Sequence, residues 1–264
     1  MSTPTLALSA AGLTLALAVS SGPARAAALP IVNPGFEADP VTLGAFNVLP
    51  PTGWSAWDPG GALDQGQTAV GVLSPQPGHG FFPAGAPEGV NVALVSLGFG
   101  VSPAGLEQTL ASPVLAFMQY TLRVRVGNIG SGTSLPGSAD GGGIDYDLSG
   151  FPGYRVELWG GGTLLAADDN TLDGSLGDGE FGESTVVFAT GAAPPALGQP
   201  LTIRLINLNN DPPGEAPGIE VDFDDVRLDA VSLLDPPGAV PEPGSAALAV
   251  LAIGALRAGR RRRR

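Results

Sequence analysis

The chain has 264 residues, with 12 basic and 25 acidic side chains, one histidine, no cysteine, 40 glycines and 26 prolines. Between residues 29 and 240 only Arg123, Arg125, Arg155, Arg204 and Arg227 face 24 carboxylates, a net charge of −19 that repels nucleic acid and anionic lipid. A disulfide framework and a thiol nucleophile are excluded outright, and His79 alone cannot build a zinc site of the usual kind.

At the head, residues 6–19 are nearly all Leu, Ala and Val, and Ala24-Arg25-Ala26 fits the small-x-small cleavage rule, with Ala28 the other cut. No Lys or Arg precedes that run. Residues 1–28 therefore read as a signal peptide. Further along, strands are expected at 91–97 and 106–110. From Tyr120 to Val126 every second residue is apolar, so Tyr120, Leu122, Val124 and Val126 face a core. Tyr154, Val156 and Leu158 repeat the pattern, and Gly160, Gly161 and Gly162 turn the chain into a second hairpin strand at 163–167. More strands follow at 184–189, 201–207 and 226–233. No stretch of this region sustains a helical period. Short strands between Gly/Pro turns define an all-β chain, a jelly-roll-like antiparallel β-sandwich over residues 29–235. The segments 131–149, 168–183 and 209–217 read as surface loops, where binding usually resides.

Residues 236–243 form a linker ending in Val240, Pro241, Glu242 and Pro243; residues 244–264 form a tail. Its apolar run, 245–256, would span about 18 Å as a helix, short against a hydrocarbon core of about 30 Å. Arg257 and the arginines at 260–264 would hold it on the cytoplasmic side. This layout resembles the PEP-CTERM sorting tail of exported Gram-negative proteins. The resemblance implies recognition by an exosortase-type enzyme at Val240, Pro241, Glu242 and Pro243. It also implies a transient anchor in the inner membrane, delivery to the outer surface or matrix, and an association with exopolysaccharide.

Within the sandwich, Asn33-Pro34-Gly35-Phe36-Glu37, Gly53-Trp54, Leu106-Glu107-Gln108-Thr109-Leu110 and Phe223-Asp224-Asp225-Val226-Arg227-Leu228 resemble jelly-roll domains of the carbohydrate-binding-module and galactose-binding-like type, over roughly residues 31–233. If Val226, Leu228 and Ala230 face inward, period two sends Asp224 to the same face. A carboxylate there must be paired, hydrogen-bonded or metal-bound. The resemblance implies a structural calcium held by Glu37 and Asp224, with Asp39 and Asp222 as further ligands and backbone carbonyls completing the shell. Alternatively, Asp224 accepts backbone N–H bonds at a bulge.

Sugar stacking needs exposed aromatic faces, and Trp57, Phe81, Phe82 and Trp159 are available, Trp159 by its opposite parity to Tyr154 and Leu158; Trp54 reads as core. The Gly/Asp segment at 140–147 is a single copy of a turn that needs stacked repeats to bind calcium, 168–174 lacks the spacing of an EF-hand loop, and both read as solvated. Catalysis finds only His79, in a turn, and unpaired carboxylates. The expectation is a non-catalytic cell-surface or matrix protein. The alternatives are a carbohydrate-binding module, with polysaccharide as partner, and a polysaccharide-acting glycosidase using two carboxylates.

Overall fold

A computed structural model describes residues 26–63, 68–210 and 219–234; the segments read as signal peptide, sorting motif and tail lie outside them, apart from residues 26–28. Among the described residues there are fourteen strands and no helix, so none long and apolar enough to cross a membrane. One sheet joins β1 (Ala27–Ala28), β2 (Phe46–Asn47), β4 (Ala69–Leu73), β5 (Val92–Ser96), β7 (Met118–Asn128), β12 (Glu180–Ala189) and β14 (Glu220–Ser232). Its spatial order is β12-β7-β14-β5-β4-β2, with β1 paired to the far end of β14. The second sheet runs β11 (Thr163–Asp169), β10 (Tyr154–Gly160), β13 (Pro200–Asn207), β6 (Ala104–Pro113), β3 (Ser55–Trp57). A ribbon of β8 (Gly132–Thr133) and β9 (Asp145–Tyr146) stands apart. Every pairing is antiparallel and neighbours in space are seldom neighbours in sequence, which is the sandwich topology expected of a jelly roll.

The alternation read in the sequence sets the inner faces. Tyr120, Leu122, Val124 and Val126 of β7 meet Tyr154, Val156 and Leu158 of β10 and Leu201, Ile203 and Leu205 of β13 in one buried cluster. β4 has no polar alternation because four of its five residues are buried, on both faces of the sheet. A second cluster built on Leu73, Val92, Leu94, Phe81, Phe82 and Ile129 covers the other face of the first sheet. The segments 74–91 and 129–150, the second of which holds the loop read at 131–149, fold over that face as a third layer.

One bulge decides which face β14 presents. Val221 and Phe223 point to the inter-sheet core, as do Val226, Leu228 and Ala230. Two apolar runs of opposite parity share a face only because the ladder with β7 shifts register between Asp224 and Arg227, with Asp225 at φ 47°. The expectation that Asp224 shares the inner face with Val226 is therefore corrected. Glu220, Asp222 and Asp224 all point outward, beneath the third layer.

At the free edges the two sheets are tied by a buried polar knot. Asp168 of β11 accepts from the Tyr154 hydroxyl at 2.6 Å, from Ser184 of β12 and from the Thr171 N–H. Its burial would raise the carboxyl, but the hydrogen bonds from Ser184, Tyr154 and Thr171 outweigh this and hold it below the usual range. In the 168–174 segment, read as solvated, Asp168 is therefore buried and bonded, while Asp169, Thr171, Asp173 and Gly174 are exposed. Asp168→Ala leaves the tyrosine and serine hydroxyls unpaired and is expected to cost about 3 kcal/mol in urea unfolding. Because the folded group is depressed, its contribution is full above the unfolded carboxyl range and fades as pH falls through the folded value. The acid limb of the stability curve should accordingly flatten in the variant.

Candidate active site

Strand register puts the three outward acids of β14 in a row. Glu220 lies opposite Ser96, Asp222 opposite Leu94 on one side and Gly127 on the other, and Asp224 opposite Arg125. Gly127 has no room for a side chain, since a Cβ there would come within 2.6 Å of the Phe181 ring and 2.9 Å of Phe82. Those two rings, 4.3 Å apart, close over the sheet beside Asp222. The result is a carboxylate with no exposure and no hydrogen-bond partner on either oxygen. Burial, then the neighbouring Glu220 charge, pushes Asp222 well above the usual carboxylate range. Glu220 is raised to about 7 by burial, against a hydrogen bond from Ser96 that pulls the other way.

Glu220 opens onto a cavity of about 730 Å³, the size of a small-molecule site. Its floor is Leu73, Leu94 and Ser96 of the first sheet; its walls are Phe46, Phe81, Tyr146, Ile129, Leu148 and Ile219. The Phe46 and Phe81 rings flank Tyr146 at centroid distances of 6.3 and 6.4 Å. Tyr146 donates to Asp140 at 3.0 Å; burial first, and then this bond, lift its phenol to about 12, so it stays protonated. Asp140 is held low, because bonds from Ser134, the Gly142 N–H and Tyr146 outweigh its partial burial. Of the 140–147 segment, read as a solvated loop, Asp140 and Tyr146 line the cavity, while Gly141, Gly143, Ile144, Asp145 and Asp147 are exposed.

Other expectations fare differently. Trp57 and Trp159 are not free platforms: the Arg204 guanidinium lies 5.3 Å from one ring and 4.4 Å from the other. Arg204 is itself pinned to Glu107 at 3.0 Å, and the Trp159 indole N–H donates to Glu157. Phe81 and Phe82 are buried on the inner side of the third layer, Trp54 is core as expected, and His79 is exposed in its turn.

The four acids named as calcium ligands do not converge, and among the described residues no group of three or more His, Cys, Asp or Glu is arranged to hold a metal. Glu37 accepts the Val90 and Asn91 N–H groups, both at 2.8 Å, and clamps that loop. Asp39 binds Asn33 and Thr52. Asp222 belongs to the cavity row. Asp224 accepts from the Glu88 N–H at 2.8 Å and its neighbour's N–H at 2.6 Å, the bulge-capping role foreseen as the alternative. Burial lifts it to about 8, in part offset by those bonds and reinforced by Glu88 and Asp225.

An apolar, aromatic chamber with a dry acid pair at its base has the build of an enzyme that moves protons away from water. The chain belongs to the HpiC1-like family, HpiC1 cyclase, which matches residues 27–229. It is similar to a cyclase from Fischerella sp. TAU, at 38% identity over 80% of this chain and 100% of that one, with a TM-score of 0.66. The same figures relate it to the Stig cyclase Fisc of that organism, solved in complex with (3Z)-3-(1-methyl-2-pyrrolidinylidene)-3H-indole. A Fischerella cyclase in complex with 4-(1H-indol-3-yl)butan-2-one matches at 38% identity, over 79% of this chain and 100% of that one, with a TM-score of 0.67. No curated protein matches.

Membership in a cyclase family overturns the expectation of a non-catalytic matrix protein and, with it, the carbohydrate-binding and exopolysaccharide roles drawn from the two resemblances. The jelly-roll architecture itself stands. Composition placed catalysis last because it offers no thiol, a lone histidine and many carboxylates with no visible pairing. The signal present was the alternation Glu220, Asp222, Asp224 between Val221 and Phe223, which marks a strand with one acidic face.

Asp222 and Glu220 both favour the protonated folded state. Above the unfolded carboxyl range the unfolded chain releases protons that the fold retains, so stability falls as pH rises toward the raised folded values. Asp222→Leu is expected to raise stability at about pH 8 by about 2 kcal/mol and to shrink that decline, read from urea midpoints across pH.

Proposed function

We propose that this chain is a cyclase that closes a ring in an apolar, indole-bearing substrate by proton transfer from the Glu220–Asp222 pair. The observation that carries this reading is the buried, unpartnered Asp222 behind a cavity-lining Glu220 whose carboxyl is raised to about 7. A group in that range is a ready acid at neutral pH. The indole part rests on the two ligands held by the Fischerella cyclases.

In this mechanism the Glu220 O–H bond breaks and its proton joins the substrate, leaving an electron-poor carbon. A ring carbon of the same molecule attacks, forming the new C–C bond. The proton released in restoring the ring's conjugation returns to the carboxylate, so the product is an isomer of the substrate. Phe46, Phe81 and Tyr146 hold the chain folded on itself, and the apolar walls keep water from trapping the cation. Asp222 acts through Glu220: its proximity keeps a proton on the pair.

Incubation with acyclic indole-bearing compounds should yield products of unchanged mass with one more ring, detected by chromatography and NMR. Glu220→Gln should slow the reaction by about 10²-fold or more. Conversion by the variant at the wild-type rate would remove the assignment.

Calcium is proposed at the bulge rather than at the cavity. Gly35 is approached by both the Glu88 carboxylate and Asp224, whose Oδ1 lies 3.7 Å from where its Cβ would be. These two acids, with backbone carbonyls, are the oxygen donors this ion takes; bound there, it would supply charge neutralisation and loop order. Calcium should raise the melting midpoint by several degrees, and Asp224→Asn should abolish the rise. An unchanged midpoint in wild type on adding chelator removes the ion. Export and exosortase-type processing at Val240, Pro241, Glu242 and Pro243 likewise remain proposals, resting on the composition of the two ends.

A further inference from the structure

The end of the sandwich remote from Glu220 is built from chain without charge. Four segments meet there, 108–122, 158–167, 184–203 and 230–234, and none contains Asp, Glu, Lys, Arg or His. Backbone hydrogen bonds tie their turns together. The Leu233 N–H donates to the Phe117 carbonyl at 2.7 Å and the Phe117 N–H to the Gly191 carbonyl at 3.1 Å. The Val114 N–H donates to Gln199 and the Gly198 N–H to Val114, both at 2.8 Å, and Gly161 of the β10–β11 turn donates to Pro200 at 2.9 Å. Those bonds hold Phe117 at φ 54°, a left-handed conformation that an aromatic residue rarely adopts. Leu115, in the same turn, is left 47% exposed, and Leu197, Leu233 and Leu234 of the turns bonded to it are 51, 49 and 55% exposed. A lone exposed leucine needs no explanation, but four on adjoining uncharged turns form a patch of the kind that meets an apolar partner.

The course of the chain says which partner. Ala27 pairs with Ala230 and Ala28 with Asp229, so the described chain enters, at Ala26, and leaves, at Leu234, at this same end. Beyond those two points the sequence holds its long apolar runs, 6–19 and 245–256. A second copy meeting the patch head-on would have to make room for four chain ends, whereas a lipid surface accepts leucines and apolar runs alike.

We propose that this uncharged end is a lipid-facing surface, which rests on a zwitterionic membrane with Leu115, Leu197, Leu233 and Leu234 among the headgroups. The surface is separate from the catalytic chamber and independent of the cyclase reading, since Glu220 starts β14 and lies about 40 Å along the strand from Ser232. The end that carries Glu220 also exposes Asp169, Asp173, Asp178 and Glu180. Their charges favour water and oppose any approach of that end to anionic headgroups. Contact through the uncharged end therefore keeps the chamber clear of the bilayer.

Because the chain has no cysteine, one introduced thiol can be labelled without competition. Full-length Leu197→Cys and, as the reference on the acidic end, Asp173→Cys would each carry a fluorophore and be mixed with phosphatidylcholine vesicles containing nitroxide-bearing lipid. The Leu197→Cys label should lose about half its emission to the nitroxide and the Asp173→Cys label less than about a tenth. Adding Leu115→Asp to the Leu197→Cys chain should reduce the quenching several-fold, because a carboxylate resists transfer out of water. Should that variant fail to fold, Leu234→Asp, at the last described residue, should act in the same direction. Equal quenching of the two labels, or quenching of neither, overturns the lipid-facing end, as does quenching at Leu197→Cys that both aspartate variants leave unchanged. Emission of the Leu197→Cys label that changes with protein concentration in the absence of lipid assigns the patch to a second copy of the chain and overturns the proposal too.

Discussion

A single extra residue in β14 organises this molecule. The bulge between Asp224 and Arg227 lets Val221 and Phe223 join Val226, Leu228 and Ala230 in the inter-sheet core. Without it, one of the two runs would have to turn its apolar side chains out of the core, because strand parity is strict. The compensating effect is on the other face, where Glu220, Asp222 and Asp224 are lined up and must be accommodated. Everything distinctive about the protein follows from how the chain covers those three acids.

Each is covered in a different way. Asp224 is met by backbone N–H groups and keeps the loop at Glu88 in place. Asp222 is sealed by the Phe82–Phe181 pair and receives nothing. Glu220 is left facing a chamber roofed by Phe81, Tyr146 and Leu148. A buried acid without a partner is a cost to folding that a purely structural sandwich has no reason to retain, and such costs gather where chemistry is done. By contrast, the buried Asp168 that ties the sheet edges is satisfied by Tyr154, Ser184 and Thr171.

Much of the sandwich was legible in the residues. The alternation around Tyr120 and Tyr154 located β7 and β10 on the correct faces, and the Gly160-Gly161-Gly162 turn located the hairpin into β11. β4 escaped because a strand covered on both sides shows no alternation. The start of β14 escaped because four acids in six residues look like a loop. The site was less legible than the fold. Asp140 and Tyr146 belong to a glycine-rich stretch whose composition suggests exposure, and only the tertiary cover over the first sheet turns these two into a wall. The tryptophans misled for the opposite reason: the parity of Trp159 was right, but Arg204 lies against that ring and the Trp57 ring. Parity reports which side of a sheet a residue takes. It is silent on what lies over that side.

The chamber is built outside the inter-sheet core, from β2, the β8–β9 ribbon and the segments around them. β2 and the ribbon contribute only two residue pairs each to their ladders. Substitutions in those pieces reshape the space around Glu220 while leaving the packed layer between the sheets untouched. The scaffold and the lining of the chamber are thereby free to vary on separate schedules, one shape being exchanged for another without the sandwich having to be re-solved.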